Sequence, residues 1–165
     1  MNSKNLIAEL EHELVSTEKL LELVPADKLN WQPHTRAMSL GELALHIATI
    51  PGRYCGFGVD GNTPVDILTQ HPSPKNKEEI LAGFKTSTAT AKELLNILET
   101  NRDETNWNLT KNDSVIFTLP IPLFVRLLVF NHLFHHRGQL STYLRTLNVA
   151  LPSIYGPSAD EDPFA

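Results

Sequence analysis

Hydrophobic residues recur at helical spacing in four stretches of the chain, separated by segments rich in proline, glycine and charge. The first stretch spans about 3 to 24, where leucines repeat along one face, acidic residues occupy the others and Pro25 ends the pattern. The second begins at Ser39, because Ser39 and Glu42 match a capping box, in which each side chain accepts a hydrogen bond from the other residue's backbone N–H. Its apolar positions continue for about three turns, so His46 lies on or beside the apolar face of that helix.

The third and fourth stretches also predict long helices. Between about 75 and 98, Phe84, Ala91 and Leu98 are seven residues apart, a spacing typical of helices packed in a bundle. The fourth stretch begins near Pro122, which suits the first turn of a helix, and runs to about 147. Its first half is apolar on nearly every side, so we expect it to be the most buried helix or to contribute to a subunit interface.

The connections between these helices are less regular. Residues 51–74 contain four glycines and four prolines, which predicts a long, partly irregular loop between the second and third helices. Residues 107–118 alternate weakly between polar and apolar positions and are compatible with a short extended piece, whereas the tail from 151 to 165 is rich in proline and acid. With four helices and no convincing set of strands, the pattern predicts an all-α four-helix bundle that forms one domain over residues 1–165.

Composition narrows the functional classes. The 165 residues include 14 basic and 19 acidic side chains, for a net charge of −5, and no basic cluster would follow a phosphate backbone, so nucleic acid is not an expected partner. The longest apolar run, 119–130, is interrupted by two prolines and an arginine and is shorter than the roughly 20 residues of a membrane span. A single cysteine and a start unlike a leader peptide predict a soluble, cytoplasmic protein without disulfides and without a membrane partner.

Three of the seven histidines fall within five residues of the fourth helix, at positions 132, 135 and 136. His132 and His136 are one helical turn apart, and their side chains point in directions that differ by only about 40°, so both can bind one metal ion. His135 lies about 100° from His136, too far around the helix to join them comfortably. Because helical bundles build metal sites from facing helices, His46 of the second helix is the natural third ligand.

Three neutral imidazoles leave one position on a metal ion open, which is the arrangement of metals that activate water or bind a thiolate. Zinc, nickel, iron and cobalt all accept such a site. The alternative is that the three histidines of the fourth helix are unrelated, with one buried against a carbonyl group and two at the surface. The remaining histidines, His12, His34 and His71, are expected to be solvated.

Other polar residues also carry alternatives. Arg137 either anchors a substrate carboxylate or, as we favour, pairs with an acid of a neighbouring helix. Gln139 either hydrogen-bonds to a partner of the metal ligands or satisfies local polarity. Gly138 inside a helix costs about 1 kcal/mol relative to alanine, which indicates a close helix crossing there. Cys55 lies in a glycine-rich segment without a neighbouring base, so we expect a buried, unreactive thiol.

Several motifs together resemble the DinB/YfiT family of small helical-bundle proteins. They are Trp31-Gln32-Pro33 in the first loop, Ser39-Leu40-Gly41-Glu42 through His46, His132-Leu133-Phe134-His135-His136-Arg137-Gly138-Gln139-Leu140 followed by Tyr143-Leu144-Arg145, and Leu151-Pro152-Ser153-Ile154-Tyr155-Gly156-Pro157-Ser158-Ala159-Asp160-Glu161 in the tail. The resemblance implies an up-down-down-up helix order and often a dimer. It also implies a divalent metal held by His46, His132 and His136, with His135 beside the ligands or at the surface.

The family includes thiol-dependent enzymes, among them bacillithiol transferases and the mycothiol-dependent maleylpyruvate isomerase, and members described as metal-dependent hydrolases. The resemblance also implies a tail that folds over the bundle, with Tyr155 near the site. We therefore expect a metal-dependent enzyme of thiol S-transferase or hydrolase type that acts on a small molecule, with a low-molecular-weight thiol or water as the nucleophile. Zinc, nickel or iron is the expected cofactor, and a homodimer is the expected assembly.

Two other functional classes stay open on the sequence. A non-catalytic metal-binding or ligand-binding bundle with a role in the stress response would have a closed site with four protein ligands and no solvent-accessible cavity. A structural dimerisation module without metal would have His46 pointing away from His132 and His136. Glu42 lies one turn before His46 but is better explained by capping, so the sequence identifies no general base.

Overall fold

The computed structural model describes residues 3–100 and 105–164. Four long helical segments make up most of the described chain, and three short strands form a small sheet. The elements follow one another in the order α1 (Ser3–Glu22), a 3-10 turn (Ala26–Lys28), α2 (Leu40–Asp60), β1 (Asn62–Pro64), α3 (Val65–Leu68), α4 (Lys77–Thr100), β2 (Asn106–Lys111), β3 (Ser114–Pro120), α5 (Ile121–Phe124), a π-helical turn (Val125–Asn131) and α6 (His132–Thr146). Within these ranges, no helix combines the length and the hydrophobicity needed to cross a membrane.

One hydrophobic core joins the helices. Helix α2 lies at its centre, because most of its side chains are buried and it packs against α4, α6 and the π-helical turn. The leucines that predict α1, at positions 6, 10, 14 and 21, are all buried in this core. Phe84, Ala91 and Leu98 of α4 are buried as well, so the predicted apolar faces of both helices are confirmed.

The predicted start of α2 is also confirmed. The Ser39 side chain accepts a hydrogen bond from the backbone N–H of Glu42 at 3.2 Å, and the Glu42 carboxylate accepts one from the backbone N–H of Ser39 at 2.8 Å. This reciprocal pair satisfies two backbone groups that a helix end leaves free. It therefore places the first residue of α2 at Leu40 and determines which way the following side chains point.

The predicted irregular loop from residue 51 is wrong in its first ten residues, because α2 continues through Pro51 to Asp60. A proline inside a helix removes one backbone donor and disturbs the previous turn. Here the adjacent groups bond to helix α4 instead: the Gly52 N–H donates to the Ser87 hydroxyl at 2.8 Å, and that hydroxyl donates to the Thr49 carbonyl at 3.1 Å. The long connection between α2 and α4 remains, but it is shorter than predicted.

The all-α prediction is wrong for the segments that form the sheet. Strand β1 pairs in parallel with β2, and β2 pairs antiparallel with β3. Asn112 and Asp113 join β2 to β3 with positive φ angles of 48° and 59°, the conformation of a tight two-residue hairpin turn. Most side chains of β3 are exposed, so buried and exposed positions do not alternate along this strand. In β2, the buried Trp107 donates from its indole nitrogen to the Thr63 hydroxyl of β1 at 2.9 Å.

The last helical segment begins near the predicted position, with Pro122 in its first turn, and ends at Thr146. It is not a uniform α-helix, because Val125–Asn131 forms a π-helical turn; the His132 N–H donates to the Leu127 carbonyl, five residues earlier. The tail beyond α6 folds back on the helices, since Leu151 and Ile154 pack against the core.

Candidate metal centre

His46 of α2 and His132 and His136 of α6 bring their imidazole rings together. The Nε2 atom of His132 lies 3.2 Å from His46 Nε2 and 2.8 Å from His136 Nε2. The nitrogen that each residue offers lies within 4.8 Å of the other two. His46 therefore points toward His132 and His136 and not away from them, which argues against a dimerisation module with unrelated histidines.

Burial holds these imidazoles in the neutral form. Desolvation is the largest cause of the shifts, and it is reinforced by the neighbouring histidines; together they lower the pKa of His46 to about 2 and that of His132 to about 4. The His136 pKa is lowered as well, mainly by desolvation, although a hydrogen bond with Gln139 opposes the shift. Neutral imidazole is the form that binds metal ions.

The hydrogen bonds around the cluster suit a bound cation. His136 Nδ1 lies 2.7 Å from the amide oxygen of Gln139, and an oxygen acceptor there places the ring proton on Nδ1 and the lone pair on Nε2. A neutral imidazole carries only one N–H, and a ring that carries it on Nδ1 can only accept at Nε2. Hydrogen bonds among the three rings therefore cannot pair all three Nε2 atoms well. Ligands of tetrahedral zinc lie about 3.3 Å apart, so spacings of 3.2 and 2.8 Å need only a small adjustment.

His132 has a less complete environment on its other side. Its Nδ1 atom is buried and makes no hydrogen bond of normal geometry, yet the nearby Leu128 carbonyl is the group that acts to raise its pKa. A ring that offers Nε2 to a cation carries its proton on Nδ1, facing that carbonyl. The donor set and its surroundings therefore fit a divalent ion that prefers nitrogen ligands, such as zinc, nickel or iron.

A cavity of about 460 Å³ opens beside the cluster. It is lined by Tyr54, Leu68, Thr69, His71, Leu127, Leu128, Asn131, His132, His135 and His136. None of these residues is an acid, a lysine or an arginine, while His46 is buried and does not line the cavity. The cluster is thus open to a ligand on one side, unlike the closed site of a purely structural metal.

His71 lies near the cluster, although the sequence did not identify it as a site residue. We expected it to be solvated, but its ring lies edge-on to His46 with 4.7 Å between ring centroids, and it lines the cavity. The loop that carries it is fastened at two points: the Arg53 guanidinium donates to the carbonyl groups of Ile67 and Gln70, and the Ser73 hydroxyl donates to the Glu42 carboxylate at 2.9 Å. These are long-range contacts, and no local motif reveals them.

His135 and Arg137 lie on either side of His136 along α6. The exposed His135 ring lies 4.9 Å from the His136 ring and lines the cavity. The buried Arg137 guanidinium donates to the Glu13 carboxylate at 2.6 Å and to the Glu13 carbonyl at 3.0 Å. Arg137 therefore makes the ion pair with a neighbouring helix that we favoured, and its guanidinium is occupied there.

Tyr155 belongs to the same polar network rather than to the histidine cluster. Its hydroxyl donates to the Glu13 carboxylate at 2.6 Å and accepts a hydrogen bond from Arg137. This contact attaches the tail to α1 and α6. Tyr155 therefore contacts Arg137, the neighbour of His136, and does not line the cavity beside the histidines.

Two further expectations have clear outcomes. The close helix crossing expected at Gly138 is wrong, because a Cβ atom built there would meet nothing within 4 Å. The close crossing occurs instead at Gly52, where a Cβ atom would lie 2.8 Å from the Ser87 carbonyl oxygen. Cys55 is buried as expected, and desolvation raises its pKa to about 12, which keeps the thiol protonated and unreactive.

Comparison with known proteins identifies relatives of the chain. The sequence matches the profile of the DinB family over residues 1–162. No curated protein matches it significantly. Three crystal structures with similar folds are a DinB-like protein from Bacillus subtilis (20% identity, TM-score 0.70, covering 91% of this chain and 97% of that one), a DinB-like protein from Bacillus cereus (22%, 0.69, 92% and 97%) and a putative DinB family member from Exiguobacterium sibiricum (16%, 0.64, 93% and 97%).

Proposed function

Because the chain belongs to the DinB family, we propose that it is a metal-dependent enzyme whose divalent ion is held by His46, His132 and His136. The observation that carries the proposal is the convergence of three Nε2 atoms from two helices beside an open cavity. The Gln139 amide, which fixes the tautomer of His136, supports the same assignment. These features favour an enzyme over a closed, non-catalytic metal site.

A divalent ion bound there would lower the pKa of a coordinated thiol or water and so supply a nucleophile at neutral pH. The residues of this chain then have three tasks. The three histidines stay neutral because they are desolvated, the leucines give the cavity an apolar wall, and His71 and His135 add two further imidazole rings to its lining. No carboxylate lines the cavity in the described part of the chain.

The nucleophile is expected to come from outside the protein. Cys55 is buried and its raised pKa keeps it protonated, so it cannot supply a thiolate to the cavity. We therefore propose a low-molecular-weight thiol, for a transferase, or water, for a hydrolase, and a small-molecule substrate. The up-down-down-up helix order, the homodimer and the cytoplasmic location belong to the same proposal; sedimentation equilibrium would test the dimer.

Elemental analysis of protein purified without an affinity tag tests the metal site. We expect close to one divalent ion per chain, and a loss of most of it in His46→Ala, His132→Ala and His136→Ala. His135→Ala is the matched control, because its exposed ring lies beside the cluster but outside the converging group of nitrogens. Equal metal content in the wild type and all four variants would contradict the assignment.

Activity measurements test the enzymatic part separately. The metal-loaded protein is mixed with several low-molecular-weight thiols and electrophiles, and in parallel with ester and amide substrates. We expect turnover in one series, which EDTA abolishes and the metal restores. Metal binding without turnover in either series would favour the non-catalytic, stress-related alternative.

A further inference from the structure

Tyr54 occupies an unusual position beside the histidine cluster. It lies on α2 eight residues after His46, is only 3% exposed and lines the cavity. Its ring stands edge-on to His132, with 4.7 Å between centroids and 79° between planes, and also contacts Phe57. These contacts hold the ring in one orientation beside His132.

The hydroxyl of Tyr54 has no partner within the described chain. The other two tyrosines do: the Tyr143 hydroxyl donates to the Met38 carbonyl at 3.2 Å, and that of Tyr155 donates to Glu13. Buried tyrosine hydroxyls usually find a hydrogen-bond partner. The unpaired polar side-chain atoms that are sealed from solvent are Thr88 Oγ1 and His132 Nδ1, so the Tyr54 hydroxyl is not sealed. Because Tyr54 lines the cavity, a molecule bound there is the partner that can reach this hydroxyl.

The rest of the cavity wall defines what an occupant can look like. Leu68, Leu127 and Leu128 supply apolar surface, and no acidic or basic side chain of the described residues lines the cavity besides its histidines. A ligand bound here therefore meets the histidine cluster at one end, leucine side chains along its body, and a phenol that can donate one hydrogen bond.

We propose that Tyr54 is a ligand-binding residue, whose hydroxyl donates a hydrogen bond to an oxygen atom of the molecule in this cavity. The ligand class is a small carboxylate or carbonyl compound with a short apolar body. One of its oxygens faces the histidine cluster, and the second or the adjacent oxygen accepts from Tyr54. The inference rests on the proposed metal site. It adds that Tyr54 makes this site select ligands that carry an oxygen acceptor.

Titration of cobalt-loaded protein with acetate and with butyrate, followed by visible absorption, tests the inference. In Tyr54→Phe the ring remains and only the hydroxyl is removed. We expect the dissociation constants of both acids to rise at least about tenfold, the lower end of what one hydrogen bond to a charged acceptor contributes. The two factors should be equal, because the lost contact is to the carboxylate that both probes share.

Tyr143→Phe is the matched control, because it removes a hydroxyl whose partner lies outside the cavity, and it should leave both dissociation constants unchanged. Cobalt content and the thermal unfolding midpoint of Tyr54→Phe should equal those of the wild type. Equal acetate affinity in loaded wild type and Tyr54→Phe, or a loss confined to butyrate, overturns the inference alone. A wild type that takes up no cobalt overturns the proposed metal site, and the inference with it.

Discussion

Protonation of the histidine cluster should make the metal-free protein unusually sensitive to mild acid. The folded state lowers the pKa of His46 to about 2 and that of His132 to about 4, whereas an unfolded histidine titrates near 6.5. Between these values the unfolded chain binds more protons than the folded one. Stability is therefore fully present above about pH 7 and falls as the pH drops through 6.5.

The size of the effect follows from the same shifts. Each pKa unit corresponds to about 1.4 kcal/mol, and pH 5 lies 1.5 units below the unfolded pKa, so each of the two histidines costs about 2 kcal/mol at that pH. His46 and His132 together remove about 4 kcal/mol, a large part of the roughly 5–15 kcal/mol that stabilises a typical domain. The lowered pKa of His136 acts in the same direction.

Urea unfolding in EDTA at pH 7 and pH 5, followed by circular dichroism, measures this loss. His132→Gln replaces the ring with a neutral side chain that cannot titrate, so its loss over the same interval should be about 2 kcal/mol smaller than that of the wild type. His135→Gln, which changes an exposed ring next to the cluster, should retain the full loss. An unfolding free energy that is the same at both pH values in the wild type would refute the reasoning.

Three further predictions concern packing, the buried ion pair and metal binding. Gly52→Ala should destabilise the protein by about 1–3 kcal/mol, because the added methyl group meets the backbone of Ser87. Gly56→Ala, whose methyl group would meet only one side-chain atom at 3.9 Å, should be neutral or stabilising. Comparable urea midpoints for the two variants would argue against the close crossing. Arg137→Ala should cost about 3–5 kcal/mol in urea unfolding, because it leaves the Glu13 carboxylate buried without its cation, and a loss below 1 kcal/mol would contradict this. Zinc at a hundredfold excess over its dissociation constant should add about 3 kcal/mol to the unfolding free energy in calorimetry, and EDTA should reverse the gain; no shift in the midpoint would count against a folded-state site.

The triad could be predicted because its position depends on local signals. His46 follows a capping box by two turns, so the start of α2 determines its direction, and His132 and His136 share a face through their i, i+4 spacing. His71 has no such signal. Its place beside His46 depends on the hydrogen bonds from Arg53 to the carbonyl groups of Ile67 and Gln70, which are 14 and 17 positions further along the chain.

The missed elements also have physical reasons. Pro51 ordinarily ends or kinks a helix, whereas α2 continues through it, and Ser87 on another helix bonds to the groups around it. The strands of the sheet are short, and β3 exposes most of its side chains to solvent, so neither length nor alternation marks them clearly. In both cases tertiary contacts decide the local structure.

The π-helical turn connects these points to the shape of the site. Leu127 and His136 are nine residues apart, and at about 100° per residue a regular α-helix would place them on opposite sides, yet both line the cavity. Hydrogen bonding from residue i to i+5 turns the chain through fewer degrees per residue, which brings Leu127 toward the face that carries His132 and His136. The apolar first half of the helix, which by itself predicts burial or a subunit interface, thereby supplies the leucine wall of the cavity next to the histidine cluster.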